Sequence, residues 1–213
     1  MVSRDIDEPR KYVRGPLKRA DLDPDPFVQF EEWFDEACER VPIEPHAMSL
    51  ATTDGSGAPD VRMVLMKYFD REGFVFFTNL ASRKATHIDG NPNVALMFWW
   101  PVLERQVRIT GVAERISSVE AAKYFVTRPR GSQLGAWVSK QSHVLTSRKA
   151  LEMKLDEMKR KFADREVPLP SFWGGYRVVP RAIELWQGQP DRLHDRFQYL
   201  RDGAGWRIER LAP

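Results

Sequence analysis

Between residues 47 and 79 the chain alternates β-forming runs with tight turns: "AMSLATT", "DGSGAP", "DVRMVLMKYF", "DREG", "FVFFTN". Connections this short join only antiparallel neighbours, because parallel strands need a crossover of a dozen or more residues. The segment therefore predicts an antiparallel meander. The pattern resumes with "VALMFWW" and "RQVRITGVAERI", then "GYRVV", "AIELWQG" and "DRFQYL", the last turning at "DGAG" into "WRIERLAP". So many short strands would expose edges in an open sheet, so a closed or partly closed barrel is expected.

Helices are expected at four places. "PFVQFEEWFDEACERV" has Asp25 as N-cap, Pro26 at the first helical position, and Phe27, Phe30, Phe34 and Ala37 on one stripe. A short helix starts at Ser82 in "SRKATHI" and ends before "DGNPN". "SSVEAAKYFVTR" spaces Ser117 and Glu120 as a capping box and stops at Pro129. "SRKALEMKLDEMKRKF" lines Leu151, Leu155, Met158 and Phe162 along one side, with lysines opposite. The expected class is α+β, mainly β: an antiparallel barrel with flanking helices.

The 213 residues suit one domain, 1–213, with the proline-punctuated, charged residues 1–26 as a mobile arm or lid. Formal charge is +3 and no block of five basic residues occurs, which points to discrete anion sites rather than a nucleic-acid track. Cys38 is the single cysteine, so no internal disulfide can form. "MVSRDIDEPRKYVRG" has no apolar segment of a secretory signal and no run of eighteen apolar residues follows, so the expectation is a cytoplasmic protein without a membrane span. The four histidines show no ligand spacing, and no metal is expected.

Several basic residues stand where an anion would be useful. Arg83 and Lys84 open a helix whose first turn ordinarily favours Asp or Glu; a bound phosphate would satisfy them, and two exposed basic residues on a short helix is the plainer alternative. By strand alternation Lys67 shares a face with Met63, Leu65 and Phe69, away from Arg62, Val64, Met66 and Tyr68. It either snorkels to water or holds an anionic ligand. Tyr124 and Arg128 lie four residues apart on a helix, with Ser132 beyond the proline break, either as a phosphate site or as an ordinary helix end. If "DRLHDRF" is extended, Arg192, His194 and Arg196 face one way, and Leu193, Asp195 and Phe197 the other. That makes a row of donors for an oxygen-rich ligand, or a surface salt-bridge ladder contributing little. The residues alone thus suggest a phosphorylated aromatic ligand without naming it.

The stretches "RMVLMK", "FTNLASRKA", "LERQVRITG", "KYFVTRPRGSQLGAWVSKQS", "VPLPSFWGGYRV", "WQG" and "RLHDRF" before a terminal "IERLAP" resemble the pyridoxamine 5′-phosphate oxidase family, from about Tyr12 to Pro213. The resemblance implies an FMN-binding split β-barrel working as a homodimer, with flavin at the subunit interface. It implies oxidation of pyridoxamine or pyridoxine 5′-phosphate to pyridoxal 5′-phosphate by O2, releasing H2O2 and, from the amine, ammonia. Carried over by position, Arg62, Met63, Val64, Leu65, Met66, Lys67, Phe77, Thr78, Arg83, Lys84, Gln106, Gln141, Ser142, Trp186 and Arg196 match flavin contacts. Lys67, Tyr124, Arg128 and Ser132 match the substrate-phosphate group, and Tyr12, Arg192, Leu193 and His194 further substrate contacts, with Arg192 and His194 nearest the chemistry. The family arm often carries Arg-x-x-Tyr; here Pro9 stands three before Tyr12 and the arginine is Arg10. Rival expectations are another split-barrel flavin oxidoreductase, a non-enzymatic pyridoxal phosphate carrier and a nucleic-acid module, the last lacking any recognised motif.

Overall fold

The computed structural model describes residues 11–213, so Pro9 and Arg10, and the arm's arginine with them, lie outside the described residues. In chain order the elements are α1 (Pro26–Arg40), β1 (Ala47–Thr53), β2 (Pro59–Asp70), β3 (Gly73–Asn79), α2 (Arg83–Gly90), β4 (Asn93–Trp100), β5 (Arg105–Arg115), α3 (Ser118–Thr127), α4 (Arg130–Val138), α5 (Arg148–Lys161), β6 (Trp173–Gln187), β7 (Asp195–Asp202) and β8 (Gly205–Leu211). Strand order is β3-β2-β1-β4-β5-β6-β7-β8, and a further β3–β6 pairing closes the first six strands into an antiparallel barrel. The chain forms two compact units. One, the barrel unit, spans 46–96 and 110–181; the other takes the stretch ending at Pro45 together with 97–109 and 182–213.

In the barrel unit the first hairpin pairs Ala47 with Leu65 through to Thr53 with Pro59. Its turn is held by Asp54, whose Oδ1 accepts the amides of Ser56 at 2.9 Å and Ala58 at 3.0 Å. The β3–β6 seam sets Phe76 opposite Tyr176 and Phe77 opposite Gly175. Glycine is required at that closure: a Cβ on Gly175 would stand 2.6 Å from the Phe76 carbonyl oxygen. Met48, Leu50, Phe74, Phe76, Leu96, Tyr176 and Val178 are fully buried. Each such phenylalanine contributes about 2–3 kcal/mol by leaving water. A second cluster under α3, α4 and α5 joins Ala121, Phe125, Leu134, Phe162, Val167 and Trp173.

In the other unit Asp25 accepts the Phe27 amide at 2.9 Å, with Pro26 opening α1, and Phe27, Phe30, Trp33 and Ala37 are buried. Phe30 packs on Phe98, ring centroids 5.2 Å apart. β7 lies against β6 with Ile183 opposite Tyr199 and Leu185 opposite Phe197. The stretch expected as an arm is anchored where it is described. The amides of Val13 and Arg14 donate to the Glu104 carboxylate at 3.0 Å, Leu17 donates to Asp195 at 2.9 Å, and the Asp23 carbonyl accepts from Tyr199 at 2.8 Å.

Four expectations are corrected. Residues 130–138 form a helix, α4, that the proline break and its glycines concealed. "GYRVV" and "AIELWQG" are one strand through Pro180, because extended backbone suits a proline and Gly111 lets β5 approach. A Cβ on Gly111 would meet the Val179 oxygen at 2.1 Å. α2 runs on through Asp89 and Gly90, its last turn closed by the Asn91 amide on His87 O at 2.8 Å. "DRLHDRF" is not extended throughout: Pro190–Arg192 is a 3-10 turn, Asp191 and Arg192 have φ of 56° and 61°, and the strand begins at Asp195.

Candidate functional site

The barrel unit holds a cavity of about 390 Å³ whose lining includes Lys67, Lys84 and Arg128 and, among the described residues, no carboxylate. β2 delivers Met63, Val64, Leu65 and Lys67 to it. Met63, Leu65 and Lys67 meet there as alternation expects, but Val64, expected on the opposite face, lines the cavity too; the β2–β3 ladder shifts register between Met66 and Tyr68, so Lys67 sits at a bulge and is exposed. Bulges re-aim side chains in this way. Phe77 and Tyr124 stack with centroids 4.1 Å apart, and Trp173 lies parallel to both, 5.1 Å from Phe77 and 6.3 Å from Tyr124. Arg128 follows the last residue of α3 with extended backbone, which swings its guanidinium over the Trp173 ring at 4.8 Å. Its Nη1 is buried and makes no hydrogen bond. Burial holds its pKa below the ordinary value, with Tyr124 opposing. Ser132 enters from the first turn of α4, its amide on Pro129 O at 2.8 Å.

Lys84 is nearly buried, at 8% exposure, and donates to Gln141 Oε1 at 2.9 Å and Thr78 Oγ1 at 3.3 Å, both neutral oxygens. Burial, then the charge of Arg62, lowers its pKa from the usual lysine value. Its neighbour Arg83 points outward, 66% exposed and 4.0 Å from Asp60. Arg62 lies on the opposite face of β2, donating to Leu50 O at 3.0 Å and Thr52 Oγ1 at 2.8 Å and paired with Asp60 at 2.6 Å. Met66 is buried in the core, and Ser142 is exposed with φ of 70°. One cavity thus gathers Lys67, Phe77, Thr78, Lys84, Tyr124, Arg128, Ser132 and Gln141, while Arg62, Met66, Arg83 and Ser142 are not in its lining. Trp173, which carries Arg128, was missed by the sequence reading; its signal was an aromatic directly before Gly174 and Gly175.

The remaining candidates lie in the other unit. His194 and Trp186 have ring centroids 4.6 Å apart, and Tyr12 meets both edge-on at 5.2 Å and 5.9 Å. Gly188 makes room for Tyr12, since a Cβ there would fall 2.1 Å from its ring. His194 Nδ1 accepts the Gln189 amide at 3.1 Å, so the neutral ring carries its proton on Nε2. Burial, then the charge of Arg192, lowers its pKa below 6.5. The turn leaves Arg192 exposed, and Leu193 is 68% exposed rather than packed inward. Gln106 is half-buried. Arg196 stands between buried Asp195 and Phe197, as alternation predicts within the strand; it donates from Nε to Glu184 at 2.8 Å and from Nη1 to Ala212 O at 2.8 Å. Glu184 was also missed, although an acidic residue within "AIELWQ" is its signal.

A cavity lined by three cations, a guanidinium nitrogen without a hydrogen bond and an aromatic wall is chemically a site for a phosphate monoester bearing a ring. Residues 34–162 match the family model described as pyridoxamine 5′-phosphate oxidase. The chain belongs to the pyridoxamine 5′-phosphate oxidase family. A second match, to the pyridoxine 5′-phosphate oxidase C-terminal dimerisation region, covers residues 173–213, which is β6, β7 and β8. A relative from Rippkaea orientalis, named pyridoxine/pyridoxamine 5′-phosphate oxidase, is 60% identical over 204 residues, 95% of this chain and 96% of that protein. One of the same name from Cronobacter sakazakii is 55% identical, covering 96% and 94%. Among solved structures, PhzG from Burkholderia lata 383 in complex with tetrahydrophenazine-1-carboxylic acid gives a TM-score of 0.86 at 28% identity, over 91% of this chain and 95% of that one. Among the described residues of this family member, no His, Cys, Asp and Glu cluster could hold a metal and no helix is long and apolar enough to cross a membrane.

Proposed function

We propose that the chain oxidises pyridoxamine or pyridoxine 5′-phosphate to pyridoxal 5′-phosphate, with FMN as redox cofactor and O2 as acceptor. H2O2 is released and, from the amine, ammonia. The observation that carries this reading is the cavity of the barrel unit, where Lys67, Lys84 and Arg128 share one lining with Tyr124 and Ser132 and Arg128 Nη1 is buried and makes no hydrogen bond. Family membership and relatives of that name at 55–60% identity support it.

The donor set suits two phosphates. Lys84, held by neutral oxygens at the start of a helix without acidic residues in its first turn, fits the FMN phosphate, with Arg83 beside it in sequence and the charge of Arg62 acting on it. Lys67, Tyr124, Arg128 and Ser132 fit the substrate phosphate. FMN, when bound, supplies a two-electron acceptor that oxygen regenerates. The chain's residues bind and orient. The phosphate anchors a non-reacting part of the substrate, and that binding energy places the reacting carbon. Arg192 and His194 are assigned to the substrate ring, His194 as a neutral donor through Nε2, with Tyr12 and Leu193 beside them. Gln106, Gln141, Ser142, Trp186 and Arg196, with the β2 residues Met63, Val64, Leu65 and Met66 and with Phe77 and Thr78, are assigned to flavin. The dimerisation region supports a homodimer, with flavin at its interface.

The test is the visible absorption spectrum of the FMN-loaded protein before and after pyridoxamine 5′-phosphate is added without oxygen. A flavin band that bleaches is the expected result. A band that persists points to another substrate or a carrier, and absence of any band after FMN is supplied defeats the reading.

A further inference from the structure

We infer that Tyr68 and Glu120 are a positioning pair that holds Lys67 in register with Tyr124 and Arg128; this rests on the function proposed above. Lys67 sits where the β2–β3 ladder slips between Met66 and Tyr68. A bulge leaves its residue outside the regular pairing, so the ladder alone does not set where Lys67 points. The residue after it, Tyr68, donates its phenol to Glu120 Oε1. Glu120 lies on α3, about one turn before Tyr124 and two before Arg128. It is itself fixed, its amide donating to the Ser117 cap at 3.1 Å.

Arg177 of β6 backs the pair. It binds Asp70, stands 3.5 Å from Glu120, and lies with its guanidinium 5.8 Å from the Tyr68 ring. The Tyr68 ring also packs at 6.4 Å on Phe77, which stacks on Tyr124. Tyr68, Glu120, Arg177 and Asp70 are absent from the cavity lining, so they act on a ligand only through the residues they hold. Burial and the Glu120 carboxylate keep the phenol protonated well above its ordinary range, so the donor persists at any working pH. The pair therefore sets the spacing of the cations that meet the substrate phosphate.

The experiment compares the FMN-loaded wild type with Tyr68→Phe, which keeps the ring and removes the donor. KM is measured for pyridoxine 5′-phosphate and for unphosphorylated pyridoxine, with kcat and FMN affinity. The expected result is a KM about tenfold higher for the phosphorylated substrate only, about 1.4 kcal/mol, with kcat within about twofold. An unchanged KM, or equal rises for both substrates, overturns the inference. Glu120→Gln, which keeps an acceptor oxygen, is expected to lose less than Glu120→Ala; equal losses overturn it. Should the wild type not oxidise the substrate, the functional reading fails separately. Absorbance titration with pyridoxal 5′-phosphate then decides the pair: about tenfold weaker binding in Tyr68→Phe supports it, and equal binding overturns it.

Discussion

Glu184 binds two arginines at once: one carboxylate oxygen accepts Arg196 Nε at 2.8 Å, and the other accepts Arg108. The carboxylate is 3% exposed, whereas Arg196 and Arg108 reach solvent at 26% and 45%. Removing one member of a buried pair strands the other charge. Glu184→Ala is expected to lower stability by about 2 kcal/mol, below the fully buried range because both arginines can hydrate. It should also weaken FMN binding, since among the described residues Arg196 keeps the Ala212 carbonyl alone. Urea denaturation and flavin fluorescence titration read the two effects; unaltered flavin affinity would separate Arg196 from the cofactor.

Lys84 makes anion binding pH-dependent. Its folded-state pKa is lowered, so the charged form is disfavoured by the fold. Stability lost to that burial is recovered as pH rises through the lowered pKa toward the ordinary lysine value of 10.5. A phosphate needs the charged form, so FMN affinity should fall over the same rise. Lys84→Met should bind FMN weakly and without that pH dependence. A wild-type dissociation constant that stays flat on the alkaline side would contradict the assignment.

His194 should stay neutral at pH 7, because burial and Arg192 both lower its pKa below 6.5. The sign is that of a depressed base: stability rises with pH through the lowered pKa up to the ordinary value. Arg192→Ala removes one of the two causes. The acid limb of kcat/KM should then move to higher pH while flavin remains bound, alongside a loss of turnover. Proton NMR of the His194 ring gives the pKa directly, and an unmoved titration would show that Arg192 does not act on it.

Gly188→Ala should dislodge Tyr12. The added methyl would overlap the ring at 2.1 Å, and the ring is wedged against Trp186 and His194. Overpacking of this kind costs about 1–3 kcal/mol. We expect a higher substrate KM with FMN affinity retained. Gly188→Ala combined with Tyr12→Ala should recover the stability, since the clash is gone; a double variant no more stable than Gly188→Ala would mean that Tyr12 is not where the clash arises.

The barrel was legible because its strands are short and its turns shorter, and "DGSGAP" and "DREG" permit little but hairpins. Alternation brought Met63, Leu65 and Lys67 of β2 to one side, but it did not foresee Val64 in the same cavity. Alternation failed at "DRLHDRF", where Pro190 and the left-handed Asp191 and Arg192 make a turn. It is blind also to α4, whose start at a proline reads equally as a break.

What the sequence determined by itself is local: strand runs, turn chemistry, caps at Asp25 and Ser117, and the residue types able to meet a phosphate. What only the tertiary structure decided is which of those residues meet. Arg83 and Lys84 are neighbours in the chain, yet Lys84 turns inward to Gln141 and Thr78 while Arg83 faces Asp60 and solvent. The half-buried Arg128 has a buried Nη1 without a hydrogen bond, and Trp173, 45 positions later, supplies a ring beneath its guanidinium. Local propensity acts over a few residues, whereas burial, desolvation and stacking depend on neighbours that chain order does not specify.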